Sequence, residues 1–243
     1  MRPLSVDIYC RQSLTEPQAE AIRAALPAHV QFTHHLREPG AALGDPLEIA
    51  LSQSWQFPDA REVVGECTAR IELRETSSWP VTSMKRLEDL QKAMRSALEI
   101  IHADAIHCAD SEQVIPPGLF LGEIEARGVP AIQAGAVNVR LFPVNVEGVA
   151  PGRLVMDTLG LHMFGLPDLQ IDFRWLEAGS VARTLFAAAG YLAEHGDVID
   201  DGHTIEGCLP GTRWSALHGR SAVEPNREVL VFDPGEPYST RDE

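Results

Sequence analysis

Asp157, His162 and Asp168 stand within the stretch Met156–Phe173 (MDTLGLHMFGLPDLQIDF), close enough in sequence to share a site. Carboxylate and imidazole together suit acid–base work or a divalent metal. The spacings that normally accompany such chemistry, H-x-x-x-H, H-E-x-x-H or a facial triad, do not accompany these residues. Each acid also has a backbone role to hand. Asp157 is placed to cap a short helical turn, and Asp168 follows Pro167 where a tight turn is expected. The stretch therefore reads as strand, short helical turn, tight turn and strand, and its acids as structural.

A second concentration runs from Glu194 to His203 (EHGDVIDDGH) and carries Glu194, Asp197, Asp200 and Asp201 with no base among them. A hard cation favours such oxygen donors, but the calcium-loop pattern D-x-[DN]-x-[DN]-G is missing. An exposed acidic hairpin after a helix end, open to a protein partner, is the expectation. His107 and Cys108 adjoin in a strand-like segment, so their side chains leave on opposite faces and make poor partners for nucleophilic catalysis. No G-x-S-x-G, Walker loop or G-x-G-x-x-G occurs. Trp55 and Trp79 fall in proline-flanked, loop-like stretches, where an aromatic side chain can anchor an interface.

The elements that must position these residues follow from periodicity. Residues 4–10, His29–Leu36, Leu47–Leu51 and Cys67–Leu73 read as strands, and Glu16 onward as a helix with Thr15 as its cap and Pro17 in its first turn. From Ser83 the residues Met84, Leu87, Leu90, Met94, Ala97, Leu98 and Ile101 fall on one stripe of a long helix. A further helix follows Pro116-Pro117-Gly118 and ends near Gly128. A second unit starts at Val129, with strands before and after the Asp157 stretch. It continues as a helix ending at Gly196 and short strands near Thr204, Arg213–Leu217 and Glu228–Phe232. From Leu169 the apolar residues Leu169, Ile171, Phe173 and Trp175 alternate with polar ones, as on a strand with one buried face. The expected class is α+β, with antiparallel or mixed sheets and packed helices in two subdomains of similar size, 1–128 and 129–235, and a flexible tail at 236–243.

Composition narrows the functions. The chain has 243 residues, 44% of them hydrophobic, and no apolar run long enough to span a bilayer. Its four cysteines are scattered, and the N-terminal residues lack the apolar core of a secretion signal, so a reducing cytoplasm is expected. With 35 acidic against 20 basic residues the net charge is -15, and Lys85 and Lys92 are the sole lysines. Direct binding of nucleic acid needs clustered positive charge and is not expected. A basic protein partner suits the balance.

The blocks MDTLGL, GLPDLQ and DGHTIEG (Asp201–Gly207), with Asn138–Phe142 before them, resemble a family of bacterial domains of unknown function over roughly Gly135–Leu217. That family brings no catalytic residues to transfer. Proteins with such domains are similar in context to immunity proteins encoded beside secreted toxins, including type VI secretion effectors. The resemblance implies a cytoplasmic immunity protein that binds and neutralises a cognate toxin, such as a basic nuclease, without a cofactor or metal. Glu194, Asp197, Asp200, Asp201, Trp55 and Trp79 are the expected partner-binding residues. The alternatives are a hydrolase using Asp157, His162 and His203, or an adaptor of a secretion complex.

Overall fold

The computed structural model describes residues 3–76, 83–144 and 152–240. The chain is α+β and divides into two compact units, Met1–Ala136 and Val137–Glu243. No helix among the described residues is long and apolar enough to cross a membrane.

The first unit runs β1 (Ser5–Cys10), α1 (Glu16–Ala25), β2 (Val30–Leu36), α2 (Asp45–Ser52), α3 (Ala60–Glu66), β3 (Ala69–Glu75), α4 (Ser83–Ile100), β4 (Ala105–Cys108), β5 (Gln113–Ile115) and α5 (Pro117–Arg127). Its sheet has the order β2-β3-β1-β4-β5, and every neighbouring pair is antiparallel. At the start of α1 the Gln18 side chain reaches back to accept the Thr15 N–H at 3.0 Å, which satisfies one of the donors a helix start leaves open. The stripe on α4 is buried at Leu87, Leu90, Met94, Ala97 and Ile101. Leu47–Leu51, expected as a strand, lies instead inside α2. Pro46 sits in that helix's first turn, and Leu47 and Ala50 are buried at helical spacing. So short an apolar run fits either periodicity, and packing decides.

Cysteine chemistry is suppressed in this unit. Burial pushes the Cys10 and Cys108 thiols up to about 12 and the Cys67 thiol up to about 11. Thiolate is the reactive form. Alkylation of the folded protein at mildly alkaline pH is therefore expected to spare these three and to modify them once the chain is unfolded. Rapid native labelling of any one, read by mass spectrometry, would contradict the packing described.

The second unit contains β6 (Asn138–Pro143), β7 (Leu154–Leu159), β8 (Asp168–Phe173), α6 (Ala178–His195), β9 (Thr204–Glu206), β10 (Arg213–Arg220) and β11 (Glu228–Asp233). The sheet order is β6-β7-β8-β11-β10-β9, and the one parallel pair is β8 with β11. Parallel neighbours need a long crossover, here supplied by α6, β9 and β10. Helix α6 starts where the Glu177 carboxylate accepts the Gly179 and Ser180 N–H groups. It buries Val181, Leu185, Ala189 and Leu192, packs on β6, β7 and β8, and ends at Gly196, whose φ of +83° favours glycine.

Three local expectations differ from the structure. β8 is buried on both faces, with Asp168 and Gln170 interior alongside the apolar residues, where one buried face is expected. Leu169, Ile171 and Phe173 are fully buried, but β8 ends at Phe173, and Trp175 turns outward, 69% exposed, with φ +61°. Arg174 then stacks over its ring at 4.6 Å. The segment from Glu236, read as a tail, is tied down as far as Thr240. Tyr238 accepts the Arg174 N–H, Ser239 bridges to Phe173, and Thr240 is buried.

Candidate functional site

The signature acids are interior residues. Arg140 on β6 and Asp157 on β7 are direct cross-strand partners, so their side chains leave the sheet together. The guanidinium donates twice, Nε to Oδ1 at 3.0 Å and Nη2 to Oδ2 at 2.6 Å. Arg227, just before β11, joins from the far side of β8. It donates to Asp157 Oδ2 at 2.5 Å, to the Thr158 carbonyl at 2.7 Å and to Asp168 Oδ2 at 2.9 Å. Asp168 also accepts the Thr158 hydroxyl at 3.1 Å and the Leu161 N–H at 3.0 Å. Asp157, Asp168 and Thr158 are completely buried, Arg140 is 2% exposed and Arg227 8%.

Two carboxylates and two guanidiniums thus neutralise one another in the interior, with their lone pairs and N–H groups taken up. That is what a buried charge requires if it is not to cost several kcal/mol, about the penalty of desolvating one unpaired ion. The network knits β6, β7, β8 and the approach to β11 into one register. It also corrects one expectation. Asp157 does not cap the helical turn, which spans Leu161–Phe164. Asp168 does so, reaching back to the Leu161 N–H.

His162 stands at the rim of this network. Its Nδ1 lies 2.9 Å from Asp168 Oδ2, and its side chain is 36% exposed. Asp168 therefore orients a partly exposed imidazole through Nδ1, as the orienting acid of a general base does. Among the described residues no hydroxyl or thiol is hydrogen-bonded to that ring, and no group of three or more His, Cys, Asp or Glu side chains is placed to hold a metal ion.

The acidic segment has the opposite character. Glu194, Asp197, Asp200 and Asp201 are all exposed. Asp201 accepts both the backbone N–H of His218 on β10, at 2.7 Å, and faces its Nδ1 at 2.8 Å, while Asp197 lies 3.6 Å from Nε2. Asp200 pairs locally with His203. Of the other expected residues, Trp55 belongs to the first unit and is 51% exposed, and Trp79 lies outside the described residues.

The hydrogen bond to Asp201, supported by the charge of Asp197, holds the His218 imidazolium above its ordinary value, whereas Asp201 is lowered chiefly by the His218 backbone N–H. A raised histidine contributes stability that is present below its unfolded pKa of about 6.5 and disappears as pH rises through the folded value. His218→Asn is expected to lower the melting temperature more near pH 6 than near pH 9. The Asp201 contribution is lost only as pH falls below the carboxylate range, outside that window. An equal effect at both pH values would remove the charge pair from the account.

Beside the acidic segment lies an open groove of about 660 Å³ that sequence reading missed. Its walls are Ala187, Ala188 and Tyr191 of α6, Val198 and Ile199 of the connecting segment, and the three residues of β9. Tyr191 is 48% and Val198 44% exposed, so the groove presents apolar surface; Glu206 is the carboxylate on its wall, and Asp197 and Asp200 flank Val198 and Ile199 in the chain.

The model of a domain of unknown function (DUF4261) matches residues 157–233, inside the second unit. The match takes in Asp157, Asp168 and Arg227, the acidic segment and the groove, while Arg140 precedes it. No curated protein and no solved structure matches the chain.

Proposed function

We propose that the protein is a cytoplasmic immunity protein, one that binds a basic toxin, such as a nuclease of a type VI secretion system, and neutralises it by occupying its surface. The observation that carries this reading is the open groove, whose apolar wall at Tyr191, Val198 and Ile199 is joined by the carboxylate of Glu206 and belongs in part to the exposed acidic segment. Apolar surface at the centre with charge at the edge is how a protein interface combines affinity with orientation. A net charge of -15 would draw a cationic partner toward that surface. The signature acids support a binding role from the other side, because Asp157 and Asp168 are consumed by Arg140 and Arg227 and are out of reach of a substrate. The resemblance to immunity proteins supplies the toxin.

The test is co-purification of the tagged full chain from its native cells. A single toxin-like, basic protein recovered in near-equal amount supports the reading. Secretion components would replace it with an adaptor. A second reading, hydrolysis, is favoured by the Asp168-oriented His162 alone. It requires His162→Ala to abolish a turnover that the wild-type protein shows, with folding retained.

A further inference from the structure

The strand β9 closes its sheet on one side and is unpaired on the other among the described residues. Its ladder with β10 shows which backbone groups are free. Ala216 N–H donates to the His203 carbonyl and Gly207 N–H to the Thr212 carbonyl, each at 2.9 Å, so the pairs Thr204–Ser215 and Glu206–Arg213 are the non-hydrogen-bonded ones. The N–H and C=O groups of Thr204 and Glu206 therefore point away from β10, toward the open edge. All three consecutive residues of β9 line the groove. A strand seen by its face shows alternate residues, so the groove meets β9 edge-on.

We propose that the β9 edge and the groove beside it form a docking site for an extended, basic segment of the partner, which adds to the sheet as a further strand. The inference rests on the toxin-binding reading and names the part of the toxin that is gripped. Backbone bonds to Thr204 and Glu206 would hold the segment, and every second side chain would enter the groove against Tyr191, Val198 and Ile205. The remaining side chains would meet Glu206 on the groove wall and the exposed acidic segment in which Asp197 and Asp200 flank Val198 and Ile199, which selects arginine and lysine there.

The probe is a fluorescent peptide alternating arginine and valine, titrated into the full-length protein at low ionic strength. Two variants locate it. Ala187→Trp, at an exposed position of α6, fills the groove. Thr204→Pro removes one outward N–H while leaving the ladder to β10, and Thr204→Val controls for the lost hydroxyl, which accepts from Arg213. The proposal expects wild type and Thr204→Val to bind, Ala187→Trp and Thr204→Pro to bind at least about tenfold more weakly, and an alternating glutamate–valine peptide not to bind. Equal binding by all four proteins, or no binding by wild type, would overturn it. The same variants then serve in capture from native cells. A toxin held equally by wild type and Ala187→Trp would overturn the groove while the toxin reading stands. Groove-dependent peptide binding with no toxin captured would leave the groove and remove the toxin.

Discussion

Arg227→Met is expected to destabilise the second unit by about 3–5 kcal/mol, the cost of leaving a buried carboxylate without its cation. Among the described residues Arg227 is the cation that bonds both signature acids, at 2.5 and 2.9 Å, and it additionally holds the Thr158 carbonyl. Removing it leaves Asp157 with Arg140 but strips Asp168 of its guanidinium, in an interior where neither acid has any exposed surface. Combining it with Asp168→Asn should restore part of the loss, because the amide carries no charge to bury and still accepts the Leu161 N–H. Hydrogen exchange of the β7 and β8 amides reads the free energy of this unit directly. A loss below about 1 kcal/mol, in the range of an exposed ion pair, would show that the network is not the structural device described.

The second large effect belongs to encounter with the toxin. Association should slow by about tenfold or more between 0.01 and 0.15 M salt, as the screening length falls from about 30 to 8 Å, while dissociation changes little. Neutralising the acidic segment by Glu194→Gln, Asp197→Asn and Asp200→Asn together should flatten that dependence. These side chains are exposed, so the variant is expected to fold normally. Stopped-flow rates that ignore salt would remove electrostatic steering from the mechanism.

What was legible in the sequence follows from how local each signal is. The stripe of α4, the Thr15 start of α1 and the Gly196 stop of α6 are written in neighbouring residues, and the fold follows them. Leu47–Leu51 went astray because a five-residue run carries too few periods to separate helix from strand. Trp175 continued the alternation on paper past the point where the chain turns. The acidic segment could be located but its setting could not. Its groove is walled by α6 and β9, and no pattern in either announces that they face each other. Arg140 and Arg227 were missed for the same reason. Arg140 had one local sign, a lone charge within the apolar run Val139–Phe142. Arg227 had none, since its partners lie 59 and 70 positions away.

The most direct test of the central claim is growth of cells producing the captured toxin, with and without the full-length protein. Neutralisation predicts that wild-type protein restores growth, and that the variant with the acidic segment neutralised and the Ala187→Trp variant, present at equal levels, restore it less. Growth that stays arrested with wild-type protein at levels exceeding the toxin would contradict an immunity role.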